Sequence, residues 1–192
     1  MKNVPPEKMR YLDEMRAKLR GATDPAAYRT DQRLSVEWLG ECSGRTKIRD
    51  VELVSDEHAE STGYGKGVSP AHTFLAGFAF SHMTQWGRAA AAAGIEIESL
   101  REDVRASFDR RGEYLYEEGA AHPGFTDITF EVHIASRASE EQIRAFISWA
   151  DRSPPHATLR KATRLVGIFN LNGRHLATAV YHPDRTEWRG YL

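Results

Sequence analysis

The sequence predicts an α+β fold, and three stretches carry that prediction. Val68 to Ile97 is the densest apolar segment of the chain and reads as one long buried helix. Phe125 to Ile134 alternates Ile128, Phe130, Val132 and Ile134 with Thr129, Glu131 and His133, the period of a half-buried strand. Asn172-Gly173 stands between two extended apolar segments, the signal of a type I′ hairpin. Read in order, the chain gives an arm helix, a hairpin, the long helix, a strand pair, a second helix, a kink and a final hairpin.

Composition narrows the classes of function. With 192 residues, 41% of them hydrophobic and 28% charged, the chain has the make-up of a soluble globular domain. Its 26 basic and 27 acidic residues are mixed along the sequence, so neither nucleic acid nor an anionic membrane is an expected partner. His72, Ser81, His82, Gln85 and Arg88 interrupt the apolar helix and make it too polar to span a bilayer. The segment MKNVPPEKMRYLDEM lacks the apolar centre of a signal peptide, and Cys42, the single cysteine, has no partner for an internal disulfide. A cytoplasmic location is therefore expected.

Each element has its own justification. Met9, Leu12, Met15 and Leu19 recur at helical spacing before Gly21, which predicts an amphipathic helix over 6–20. The turn-rich GATDPAAYRT reads as a linker, so residues 1–32 form an arm and linker ahead of a domain at 33–192. Leu34, Val36 and Trp38 alternate with Ser35 and Glu37, and Lys47 to Val54 is a second strand pattern, with Ser43-Gly44 as the turn of a hairpin. Gly63, Gly65 and Gly67 mark 55–68 as a loop where another backbone or a ligand comes close. Ser69 and Pro70 supply an N-cap and a first-turn proline for the long helix, which Gly94 ends. Phe74, Leu75, Phe78, Ala79, Met83, Trp86, Ala89, Ala90 and Ala93 spread around it, as expected when several faces are covered.

After that helix, Ile95 to Phe108 is a weaker strand, clearest at Val104, Ala106 and Phe108, and a polar, aromatic excursion containing Tyr114 and Tyr116 follows. Ser139 with Glu140, Glu141 and Gln142 is a capping box opening a helix whose stripe is Ile143, Phe146, Ile147 and Ala150. Asp151 to Pro155 breaks that helix, and Ser153 is placed to cap the short turn that follows. The tail from Pro183 to Leu192 shows no pattern.

In their order, the glycine-containing loop, the Ser69-Pro70 to Gly77 stretch, the Ile95-Glu96-Ile97 segment, the Phe125 strand, the capped helix and Ser153-Pro154-Pro155-His156 resemble the OsmC/Ohr superfamily over residues 33–168. This superfamily contains organic hydroperoxide reductases and osmotically inducible proteins. The resemblance implies antiparallel sheets packed on two central helices in an intertwined homodimer, with sites at the subunit interface. In peroxidase members one cysteine lies in the central helix and another begins the kinked segment, and the pair reduces hydroperoxides through a sulfenic acid and a disulfide. Aligned on the two Ser-Pro pairs, those positions fall on Ser81 and Ser153.

Serine has no sulfur redox chemistry, so the resemblance implies the architecture without thiol peroxidase activity. Cys42 lies outside the motif. Three functional readings follow. The first is a homodimer binding an apolar or aromatic small molecule between subunits, with Phe74, Phe78, Ser81, His82, Met83 and Trp86 as ligand-binding residues. The second is a non-redox enzyme of hydrolase type, acting on an ester or thioester, with Ser81, Ser153, His82, His156 and Arg45 as catalytic candidates. Ser81 and His82 are a poor dyad, since neighbouring helical side chains point about 100° apart, and His72, His156 or a residue of the partner subunit is the alternative base. The third is a structural paralogue whose pocket has filled. Arg45, ahead of Arg49, matches the family's arginine, and Glu57 and Glu60 are candidates for its loop carboxylate. None of the eight histidines, His58, His72, His82 and His156 included, shows metal-ligand spacing, so neither metal nor cofactor is expected.

Overall fold

A computed structural model of the chain describes residues 6–115, 117, 119–150, 152–161, 165–171, 174–181 and 186–189. The architecture is α+β, with every strand pairing antiparallel. The arm helix α1 (Pro6–Leu19) ends before Gly21, whose φ of +74° favours a residue without Cβ. The linker holds a helical turn that its composition concealed: α2 (Pro25–Tyr28) forms because the Asp24 side chain accepts from the Ala26 amide at 2.9 Å and Pro25 pre-sets the first φ.

The expected hairpin is a three-stranded meander, β1 (Glu37–Gly40), β2 (Ser43–Ile48) and β3 (Val51–Ser55). Ser43-Gly44 opens β2 instead of turning. The chain reverses at Glu41-Cys42 and Arg49-Asp50, where Glu41 and Arg49 take φ of +54° and +56° without being glycine. The loop to the next helix winds around Asp56, which is 1% exposed. One of its carboxylate oxygens accepts from the Tyr64 and Lys66 amides, both at 3.1 Å. These bonds hold the Asp56 carboxyl below its usual range, the Lys66 amide contributing most. The close approach anticipated at the glycines is made by backbone: a Cβ on Gly63 would meet the Glu57 carbonyl oxygen at 2.2 Å, and one on Gly67 the Val54 carbonyl oxygen at 2.3 Å.

The long helix, α3 (Pro70–Ala93), has the expected ends. Ser69 caps it, and Gly94, at φ +66°, closes it. Phe78, His82, Trp86, Ala89 and Ala90 make one buried stripe at helical spacing, while Phe80 on the far side is 72% exposed. The stripe lies against a long two-stranded ribbon, β4 (Ser99–Phe108) and β5 (Phe125–Ala135). Ile95 and Ile97, expected in the strand, precede it and are buried with Trp86, Ala89 and Ala90 in the core. Burial of Phe78 or Trp86 contributes about 2 kcal/mol each.

Between β4 and β5 the excursion includes a short helix, α4 (Arg110–Tyr114), capped by Asp109. Arg111 grips Asp109 through side chain and backbone and holds its carboxyl at about 2. Tyr116 lies outside the described residues. The capping box of α5 (Glu140–Ala150) is reciprocal: Gln142 N donates to Ser139 Oγ at 3.2 Å and Ser139 N donates to Gln142 Oε1 at 2.9 Å. The helix α6 (Pro154–Arg160) follows the kink. The last hairpin joins β6 (Leu165–Leu171) to β7 (Arg174–Tyr181), with Leu171 opposite Arg174, and Asn172-Gly173 between them lies outside the described residues. The tail, patternless in sequence, carries β8 (Thr186–Arg189), which pairs with β7. No helix among the described residues is long and apolar enough to cross a membrane.

Candidate functional site

Two halves of the sequence meet at Ser81 and Ser153. Ser81, half-buried, sits midway along α3, and Ser153, fully buried, precedes α6. Ser153 Oγ donates to Ser81 Oγ at 3.2 Å, a long bond for two hydroxyls. The cap expected of Ser153 is absent. It occupies the N-cap position, but its hydroxyl makes no capping bond, and with proline at the next two residues only the His156 amide would be left to cap. The hydroxyl is turned towards α3 instead. Gln85, one turn after Ser81, donates to the Trp149 carbonyl at 3.3 Å and ties the end of α5 to the same stretch of α3.

Behind the hydroxyls lies a ring cluster. His82 packs with Phe130 at 5.1 Å between centroids, with His156 at 5.4 Å and with Trp86 at 5.9 Å. Phe78 joins through Phe130 at 5.7 Å and His156 at 6.0 Å. His82 Nδ1 is 3.0 Å from Glu102 Oε2, with the two side chains 0% and 1% exposed. Giving the Nδ1 proton to the histidine provides the Glu102 carboxylate with a donor. A charged side chain so deep in an apolar site requires such a partner. Glu102 was not among the sequence candidates. Its signal is alternation: Leu100, Glu102, Val104 and Ala106 share the inward face of β4, and a carboxylate is the exception in that apolar row.

The other candidates lie elsewhere. Arg45 stands on β2, its guanidinium 2.7 Å from Glu37 Oε2, a bond that raises its already high pKa. Phe74 is half exposed and stacks on Phe125 at 5.8 Å. Met83 is half-buried on α3. His72 belongs to the first turn, with Nδ1 2.6 Å from Ser69 Oγ and its ring edge-on to His58 at 5.8 Å. Glu57 and Glu60 lie in the loop that Asp56 organises, where the Glu57 carbonyl accepts from the Gly65 amide. Cys42 is exposed, 3.3 Å from Thr62 Oγ1. Among the described residues no group of three or more His, Cys, Asp or Glu side chains has the arrangement of a metal site.

Comparison with known proteins follows this geometry. A family model described as OsmC-like protein matches residues 63–166, more than half of the chain. Among solved structures, an OsmC-like protein from Mycoplasma pneumoniae is 25% identical, with a TM-score of 0.57 over 69% of this chain and 91% of that one. An OsmC-like protein from Vibrio cholerae shares the fold at 11% identity, with a TM-score of 0.54 over 68% of this chain and 94% of that one. An organic hydroperoxide resistance protein OsmC from Legionella pneumophila does so at 19% identity, with a TM-score of 0.51 over 69% and 92%. No curated protein sequence matches the chain.

Proposed function

This chain belongs to the OsmC-like family, and from that premise we propose that it is a cytoplasmic homodimer binding an apolar or aromatic small molecule beside Ser81, without thiol peroxidase chemistry. The observation that carries the reading is the Ser81–Ser153 pair. Two hydroxyls, 3.2 Å apart and joining α3 to the start of α6, hold the positions that the family resemblance gives to a reactive and a resolving cysteine. The meeting of the two segments is kept and the sulfur is gone. A hydroxyl pair can orient a ligand through one donated and one accepted bond, but it stores no oxidising equivalents.

The assembly is argued from exposed apolar surface. Phe80 on α3 is 72% exposed and Trp38 on β1 is 75% exposed. A Cβ on Gly87, two turns after Phe80 on the same face of α3, would meet nothing within 4 Å. Large side chains and open helix surface of this kind favour a cover, and the cover we assign is a second copy of this chain. In that dimer residues 33–192 are the OsmC-like domain and residues 1–32 its arm. Phe74 and Ser81 would face the ligand, Phe78, His82 and Trp86 would form the wall behind, Met83 would lie towards the second copy, and Arg45 would approach from the meander.

The test is a gain-of-chemistry experiment. Wild-type protein with cumene hydroperoxide and dithiothreitol should consume peroxide no faster than Cys42→Ala. The double substitution Ser81→Cys, Ser153→Cys should consume it faster than either single substitution. Wild-type turnover well above the Cys42→Ala control would overturn the reading.

A further inference from the structure

We propose that the Ser81 hydroxyl is an acyl acceptor, with Ser153 as its proton relay, so that the site handles esters or thioesters with an apolar acyl group. The inference rests on the reading of Ser81 as the ligand-binding position and adds chemistry to it. Of the two hydroxyls, Ser81 is the half-buried one and Ser153 is sealed, so a ligand arriving from solvent meets Ser81 first. The approach is open: Gly77, one turn earlier on the same helix face, has nothing within 4 Å of where a Cβ would stand.

Ser153 is free for the relay because its hydroxyl does not cap α6 and is bonded to Ser81 instead. Hydroxyl hydrogens rotate, so the bond between the two oxygens runs in either direction. His156 stands one turn along α6, buried, with its ring 5.4 Å from that of His82, which in turn meets Glu102 at 3.0 Å. The Ser81–Ser153 bond is the link we assign between the half-buried hydroxyl and this buried group.

The step balances without a co-reactant. Ser81 Oγ attacks the acyl carbon and forms a new C–O bond, while its proton passes to Ser153 Oγ and the Ser153 proton to the His156 imidazole. Collapse breaks the bond to the leaving oxygen or sulfur, which takes the proton held by the His156 imidazole. Water then attacks the acyl-Ser81 ester and releases the carboxylic acid and the free hydroxyl. Glu102 acts through His82 and is a positioning residue.

The experiment uses 4-nitrophenyl butyrate in a Cys42→Ala background, following nitrophenolate release and the intact mass, with peptide mapping of the acyl group. Binding of 4-phenyl-2-butanone, a ketone with no leaving group, is measured in parallel by calorimetry. Acylation mapped to Ser81, abolished in Ser81→Ala and slowed about a hundredfold in Ser153→Ala, by far more than any accompanying loss of ketone affinity, is the expected result. Glu102→Gln should slow acylation at unchanged ketone affinity, and Glu102→Asp should restore part of the rate, a split that a purely structural role would not produce. Ketone binding that Gly77→Trp blocks, with no acyl group on Ser81 or with label on lysines alone, overturns this inference and leaves the binding reading standing. Absence of both binding and acylation overturns the two together.

Discussion

When one member of a buried hydrogen-bonded couple is removed, the survivor keeps its desolvation cost and loses its compensation. His82 and Glu102, 0% and 1% exposed and 3.0 Å apart, are such a couple. Glu102→Ala should therefore lower stability by about 3 kcal/mol in chemical denaturation, whereas loss of an exposed pair such as Arg45–Glu37 should change it little. Asp109 supplies a pH-dependent prediction. Its carboxyl is held at about 2 against an ordinary 3.8, first by the Arg111 side chain. A depressed folded-state value means that the stabilisation is complete above the unfolded-state value and disappears as pH falls through the folded one. Melting temperatures should fall between pH 5 and 2, and Asp109→Asn should flatten part of that slope by lowering the plateau near neutrality while leaving the value near pH 2 little changed. Ser81 and His82 were legible as candidates because they interrupt an apolar helix, and Ser153 and His156 because they stand in the Ser-Pro-Pro-His segment that carries the family resemblance. Glu102 was hidden because a weak strand gives little warning of which face is inward.

At the scale of elements, local chemistry predicted the ends of the long helix and the start of α5, while the caps of α2 and α4 went unread. The ends of α3 and the capping box of α5 depend on residues within one turn of each other, so the sequence states them directly. Ser139→Ala should cost about 1 kcal/mol by freeing the Gln142 amide, measurable as a lower melting midpoint. The meander was misread because its reversals use Glu41 and Arg49 in the left-handed region, whereas the small pair Ser43-Gly44 lies in a strand. Pairing partners, not propensity, decided that region. The same holds for β8, four residues that make a strand because β7 offers an edge.

At the scale of the molecule, the exposed aromatic side chains of β1 and α3 make the oligomeric state the most accessible quantity to measure. Sedimentation velocity should give the mass of two chains for the wild type. Phe80→Glu should shift the population towards one chain, since a carboxylate at the centre of an apolar contact has no compensating partner. A wild type that sediments as a single chain would remove the intersubunit site from the proposal. The α+β class and the order of α1, α3, α5 and α6 were legible because periodic or capping signals mark those segments, whereas α2 and α4 were not. The approach of Ser153 to Ser81 was not, because it joins residues 72 positions apart and depends on how α5, the kink and α6 fold back on α3.

The Asp56 loop links these scales. Ser55 Oγ donates to the Val68 carbonyl at 2.8 Å and the Asp56 amide donates to the same oxygen at 3.3 Å, immediately before the Ser69 cap. The loop is thus a closed clasp whose ends are fastened to each other, not a tether. The end of β3 is thereby held beside the first turn of α3, the helix that carries Ser81.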